Sequence, residues 1–133
     1  MKRKLYIWLP SILYIIAIFV LSHGESLLND VDPAYTFAGM DKLAHFVEFA
    51  VLYLLLHRSL YLDSFFSPAE LALGFSLFFA FVDEFHQSFL PYRDCELGDL
   101  LADGGGIFFA YALLNFFIRK GLSCKVPRRP VAS

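Results

Sequence analysis

The segment DEFHQSFLPYRDCELGDLLADGGG, residues 83–106, decides how the rest of this sequence is interpreted. It gathers polar and ionisable side chains between two strongly apolar runs: Asp83, Glu84, His86, Gln87, Arg93, Asp94, Glu96, Asp99 and Asp103. A strongly apolar chain has little reason to keep so many charges together unless they pair or act on a ligand. The segment therefore predicts the position of a functional site.

The composition around this segment indicates an integral membrane protein. The 133 residues are 58% hydrophobic and 18% aromatic, and the mean hydropathy is +0.58. A soluble domain of this length has too much surface to hide so much apolar material. Apolar runs of nearly membrane-spanning length favour an all-α polytopic bundle instead.

Apolar runs, prolines and helix caps predict a single domain, residues 1–133, with four transmembrane helices and a basic tail. The helices are expected at residues 5–22, 42–60, 68–90 and 99–118, and the tail at 119–133. A cleaved signal peptide is the alternative for the first run, but the run is long and no small-x-small site follows it. Asp41 is the expected N-cap of the second helix, Ser67 and Glu70 form a capping box for the third, and Pro91 ends it.

The distribution of basic residues predicts the orientation. With four spans, nine of the eleven Lys and Arg residues fall on one side, and only Lys42 and Arg93 on the other. We therefore expect both termini in the cytoplasm and the polar segment at the outer face of the membrane. Cys95 and Cys124 then lie on opposite faces and should not form a disulfide with each other.

This topology brings polar residues from three helices to one depth at the outer face. They are His45 and Glu48 at the start of the second helix, Asp83, Glu84 and Gln87 near the end of the third, and Asp99 and Asp103 in the fourth. The three glycines at 104–106 would let another helix approach closely, and Gly106 shares a stripe with the two aspartates. Lys42, His45 and Arg93 are the cations that could pair with the carboxylates.

The spacing of these residues resembles the VanZ-like family of bacterial membrane proteins. The matching positions, between about residues 22 and 106, are Asp41, Lys42, His45, Phe46, Asp83, Glu84, Gln87, Phe89, Arg93, Asp99 and Gly106. The resemblance implies a small polytopic protein of the bacterial cytoplasmic membrane. The namesake of the family is associated with lowered susceptibility to the glycopeptide teicoplanin. The family usually has Asn where this chain has Asp103.

Two functions of different classes follow. The first is a non-enzymatic protein that binds or shields an envelope component and lowers glycopeptide susceptibility. The second is a small intramembrane enzyme acting on a lipid-linked phosphate or ester, with His45 as base, Glu84 as acid and Arg93 as anion clamp. The candidate catalytic residues are His45, Glu84, Gln87, Arg93 and Asp99, and the candidate binding residues are Lys42, Glu48, Asp83, Asp103 and Gly106.

A structural interpretation stands beside both functions: the polar groups could serve only as hydrogen bonds between helices, with Asp99 as an N-cap. Asp94 and Glu96 are expected to be solvated loop charges, and His86 to lie at the membrane interface. His45, Glu48, Asp83 and Glu84 are metal-ligand types, yet no paired-histidine motif is present, so no metal and no cofactor is predicted. The expected partners are membrane lipids, a lipid-linked envelope precursor or a glycopeptide, and no nucleic acid.

Overall fold

The computed structural model describes residues 2–24, 40–89 and 97–121, which form four α-helices. These are α1 (Lys2–Gly24), α2 (Met40–Leu62), α3 (Pro68–Gln87) and α4 (Leu97–Arg119). The all-α class and the number of predicted helices are therefore confirmed.

Three of the described helices are long and apolar enough to cross a membrane: Arg3–Leu21 in α1, and the whole of α2 and α4. The 23 residues of α2 and of α4 rise about 35 Å, which exceeds the roughly 30 Å of a hydrocarbon layer. The chain is thus a multi-pass membrane protein.

Helix α3 has 20 residues and so is about as long as the hydrocarbon layer is thick, but it carries the carboxylates Glu70, Asp83 and Glu84. Asp83 and Glu84 are only 1% and 3% exposed, so the bundle and not the lipid surrounds them. Glu70 is exposed in the first turn of the helix. This arrangement is compatible with a four-helix membrane bundle, because charges in such bundles face the interior.

Helix α2 is the centre of the bundle, since it packs against α1, α3 and α4. The buried core is apolar and comes from all four helices; it consists of Ile18, Phe49, Leu52, Tyr53, Leu56, Leu60, Ala72, Ala80, Ile107 and Ala110. Many large apolar side chains point outward instead, among them Ile16, Phe78 and Phe108. In a membrane, this outer surface contacts lipid.

The most extensive helix contact joins α2 and α4, and a glycine makes it possible. A Cβ atom built on Gly106 would overlap the carbonyl oxygen of Phe46, whereas one built on Gly104 would meet nothing within 4 Å. The two backbones therefore touch at Gly106. This result agrees with the predicted close approach of a helix to the glycine run.

Polar contacts at the start of α1 fasten it to the end of α2, and none of them was predicted. The hydroxyls of Ser11 and Ser59 lie 2.8 Å apart, and Ser59 also donates to the carbonyl oxygen of Ile7 at 3.0 Å. Trp8 Nε1 donates to Asp63 Oδ2 at 3.2 Å, where Lys4 forms an ion pair of 3.5 Å with Oδ1. Hydroxyls inside a membrane bundle commonly bond across helices in this way.

Two predicted helix caps are wrong. Ser67 has left-handed backbone angles (φ 52°, ψ 57°) and makes no side-chain cap hydrogen bond, so the capping box with Glu70 does not form. The turn before α3 reverses the chain through positive φ angles at Ser64 and Ser67, whereas an N-cap residue needs extended angles. Asp41 does not precede α2 but lies in its first turn, because the helix begins at Met40.

The ends of α3 and α4 also differ from the predicted bounds. Helix α3 begins at Pro68 as expected but ends at Gln87, where Ser88 forms a C-cap by donating its backbone N–H to the carbonyl oxygen of Glu84. Helix α4 begins at Leu97, two residues earlier than the predicted 99. Pro91 and the predicted basic tail beyond residue 121 lie outside the described residues.

Candidate functional site

Three helices bring polar side chains together at the end of the bundle where α2 begins, α3 ends and α4 begins. We call this the cluster end. The polar cluster there comprises six buried residues, none more than 8% exposed: His45, Asp83, Glu84, Gln87, Asp99 and Asp103. The structure therefore confirms the prediction that polar groups from three helices converge at one end of the bundle.

A hydrogen bond between His45 and Asp103 lies at the centre of the polar cluster. His45 Nδ1 and Asp103 Oδ1 are 3.0 Å apart, and both residues are buried, at 6% and 0% exposure. His45 precedes Phe46, and Asp103 lies one turn before Gly106, so the close backbone contact of α2 and α4 sets this distance. If Nδ1 donates to the carboxylate, Nε2 is the ring nitrogen that can accept a proton, whereas in the other tautomer Nδ1 itself can bind an ion.

Glu84 adds a second carboxylate from the third helix. His45, Glu84 and Asp103 each contribute one atom that could bind a metal ion, a ring nitrogen or a carboxylate oxygen, and these three atoms lie within 4.8 Å of one another. The second carboxylate oxygen of Asp103, Oδ2, is buried and has no hydrogen-bond partner in the structure. Such an orphaned acceptor costs free energy, about 1–3 kcal/mol for a neutral group and more for a charged one.

Asp99 and Lys42 form an ion pair at the rim of the polar cluster. Lys42 Nζ is 3.0 Å from Asp99 Oδ1 and 3.6 Å from Asp41 Oδ2. The Asp99 side chain is 11% exposed and the Lys42 side chain 42% exposed, so the pair extends from the buried cluster toward the surface. Asp99 lies inside α4, which begins at Leu97, so the N-cap interpretation of Asp99 is wrong.

Asp83 and Gln87 pair within α3. Gln87 Nε2 donates to Asp83 Oδ2 at 2.6 Å, one helical turn away. Both side chains are 1% exposed. The i,i+4 spacing noted in the sequence therefore does produce a hydrogen bond, and it satisfies part of the buried carboxylate.

The other predicted site residues lie around the polar cluster or outside the described residues. Glu48 is half-buried, one turn beyond His45, and its backbone carbonyl accepts a 3.3 Å hydrogen bond from Tyr14. Gly106 contributes the close contact of α2 with α4. Arg93 lies outside the described residues, as do Asp94, Cys95, Glu96 and Cys124, so their predicted roles stay predictions.

His86 contacts α1 and is not among the six buried residues that define the polar cluster. Its ring makes an edge contact with Phe19, with ring centroids 5.8 Å apart, and the residue is half-buried.

Sequence reasoning also missed a column of rings on α2, in which His57 stacks on Tyr53 at 6.2 Å and on Tyr61 at 6.1 Å. The i,i+4,i+8 spacing of these rings is the signal that could have shown it.

The fold and the site define a class: all-α, multi-pass membrane proteins in which a histidine and several carboxylates are buried at one end of the helical bundle. The family model VanZ/LLP1 matches residues 5–118, and the chain therefore belongs to this family. The match includes every residue of the polar cluster. No curated protein and no solved structure matches the chain.

Proposed function

We propose that the polar cluster binds the polar head group of an envelope lipid or a lipid-linked envelope precursor, and that this lowers susceptibility to a glycopeptide such as teicoplanin. One observation carries the proposal: a ring nitrogen of His45 and a carboxylate oxygen each of Glu84 and Asp103 lie within 4.8 Å of one another in a buried site. The outer surface of the bundle carries many exposed apolar side chains, which allows a lipid to approach the site laterally with its head group at the depth of the cluster.

The site is better suited to a ligand than to helix packing alone. A purely structural network would satisfy its buried acceptors, since each unmade bond is destabilising. The unpartnered Oδ2 of Asp103 instead offers a buried carboxylate oxygen. Its natural ligand is a hydrogen-bond donor or a cation, such as the hydroxyl, amide or ammonium groups that head groups carry.

The proposed location follows from charge. Nine of eleven basic residues lie on the side away from the cluster end if all four helices cross the membrane, which favours cytoplasmic termini. The cluster then opens at the outer face of a bacterial cytoplasmic membrane, where lipid-linked envelope precursors are used and where a glycopeptide arrives.

A second function is favoured by the His45–Asp103 pair. A carboxylate 3.0 Å from Nδ1 of a histidine orients the ring and supports its Nε2 as a general base. In this alternative the protein is a small intramembrane enzyme that acts on a lipid-linked phosphate or ester. Glu84 supplies the acid, and Arg93 binds the anion of the substrate.

Mass spectrometry of lipid bound to the purified protein tests the first function. Glu84→Gln keeps the shape of the side chain but removes its charge, so we expect a folded protein that loses both the bound lipid and the glycopeptide phenotype. Glu70→Gln is the matched control, because Glu70 is an exposed carboxylate on the same helix. A stable Glu84→Gln protein with full lipid content and full phenotype would contradict the proposal.

Incubation of the identified lipid with the protein separates the two functions. The enzyme releases a product that His45→Gln does not, whereas a binding protein returns the lipid unchanged. Product release at equal rates by wild type and His45→Gln would exclude the base role of His45.

A further inference from the structure

We infer that His45, Glu84 and Asp103 bind one divalent metal ion of the type of Zn²⁺ or Mn²⁺. The role of the ion at the site rests on the proposed function, but the inference that the ion binds does not. No metal was predicted from the sequence, because it contains no HExxH or paired-histidine motif, the pattern that places two ligands on one helix. Here each ligand comes from a different helix, α2, α3 and α4.

The distances suit coordination. Metal–ligand bonds of about 2.0–2.2 Å place neighbouring ligand atoms roughly 3–4.2 Å apart. His45 Nδ1 and Asp103 Oδ1 already lie 3.0 Å apart, and all three donor atoms lie within 4.8 Å of one another. Small side-chain rotations therefore bring them onto one ion without movement of the helices.

The buried oxygen of Asp103 is a second, independent observation that points to a cation. Asp103 is 0% exposed, and its Oδ2 has no hydrogen-bond partner in the structure. A carboxylate oxygen is acceptor-only when ionised, so a proton donor or a metal ion must satisfy it. A metal ion between Asp103, Glu84 and His45 satisfies this oxygen, and its positive charge offsets the negative charge of the two carboxylates.

The ligand types narrow the choice of metal. One imidazole with two carboxylates suits Zn²⁺ or Mn²⁺ better than Mg²⁺ or Ca²⁺, which take oxygen ligands, and better than thiolate-seeking Cu⁺. Three protein ligands leave a coordination position open. A phosphate or carbonyl oxygen of a head group can occupy that position, which explains how a carboxylate-rich site could hold an anionic lipid.

Metal binding also bears on the choice between the two functions. As a metal ligand, His45 would no longer be the general base of a metal-independent enzyme. The bound ion would instead polarise an oxygen of the head group.

Titration calorimetry on chelator-treated protein in detergent tests the inference, with Zn²⁺ and Mn²⁺ as probes and Mg²⁺ for comparison. We expect one Zn²⁺ or Mn²⁺ ion per chain for the wild type. Asp103→Asn and Glu84→Gln, which are nearly isosteric, should each weaken binding by about tenfold or more. Glu70→Gln should bind as the wild type does.

A second measurement needs no variant. Pulsed electron paramagnetic resonance of wild-type protein loaded with Mn²⁺ should show coupling to one histidine nitrogen, that of His45. Folded wild type that takes up no ion, an ion without a nitrogen ligand, or binding unchanged in Asp103→Asn and Glu84→Gln would each overturn the inference. Lipid content is measured on the same preparations: lipid without metal removes the metal site and leaves the proposed function, and metal without lipid does the reverse.

Discussion

Replacing Gly106 with alanine is the sharpest test of how the bundle builds its site. The added Cβ would overlap the carbonyl oxygen of Phe46 and lie 2.8 Å from its carbonyl carbon. Both atoms belong to the backbone of α2, so no side-chain rotation relieves the overlap. The axes of α2 and α4 must separate by roughly 1 Å to restore an ordinary contact.

Gly104 supplies a matched control two residues away. Its Cβ would meet nothing within 4 Å, so Gly104→Ala keeps only the gain in helix propensity, up to about 1 kcal/mol. Gly106→Ala has the same gain but adds an overpacking cost of about 1–3 kcal/mol. Where that cost is near its upper end, the two variants differ by about 3 kcal/mol in unfolding free energy, or about 10 °C in melting temperature.

Thermal unfolding in detergent, followed by circular dichroism, measures this difference. Separation of the helices should also lengthen the His45–Asp103 hydrogen bond, which lies beside the contact. Gly106→Ala should therefore lose lipid or metal binding before it loses helix content. A Gly106→Ala protein that melts at or above the temperature of Gly104→Ala would refute the close contact of α2 and α4.

The remaining predictions concern topology and polar contacts. Reporter fusions at residue 39 should be outside the cell and fusions at Asp63 inside, and an inside signal at 39 would exclude the proposed orientation. Lys42→Met should lower the unfolding free energy by about 1–2 kcal/mol, because it leaves the nearly buried Asp99 without its ion pair. Asp41→Asn, which removes the exposed partner of the same lysine, should change the unfolding free energy by less than about 0.5 kcal/mol. Equal melting temperatures of the Lys42→Met and Asp41→Asn proteins would show that the Lys42–Asp99 pair contributes nothing. Ser59→Ala should cost about 0.5–1.5 kcal/mol by removing its two hydrogen bonds, but Ser76→Ala, which removes a buried hydroxyl without a hydrogen-bond partner in the structure, should be neutral or stabilising; the reverse order of stability would contradict both assignments.

Much of the fold follows from sequence because a membrane restricts the possible structures. Apolar runs of about 20 residues must be helices there, so the number of helices could be predicted before any contact was known. The turn before α3 could not. Ser67 and Glu70 have the spacing of a capping box, but a chain reversal that needs positive φ at Ser64 and Ser67 overrides the local preference.

The convergence of polar groups at one end of the bundle was predictable, whereas their pairings were not. Alternating helix direction is enough to bring the start of α2, the end of α3 and the start of α4 to one end of the bundle. Which groups then meet depends on helix rotation and separation, both of which are set by packing. Asp103 bonds to His45, and Lys42 bonds to Asp99, only because α2 and α4 touch at Gly106.

The buried carboxylates of α3 connect the fold with the site. An isolated helix would expose Asp83 and Glu84 to lipid, at a cost of about 2.5 kcal/mol or more for each ionised group. In the bundle, Gln87 donates to Asp83, and α2 and α4 enclose Glu84 beside His45 and Asp103. If α3 crosses the membrane, it therefore does so favourably only when it packs against α2 and α4. Formation of the polar cluster then accompanies completion of the bundle, and a ligand that binds the cluster would also stabilise α3 within it.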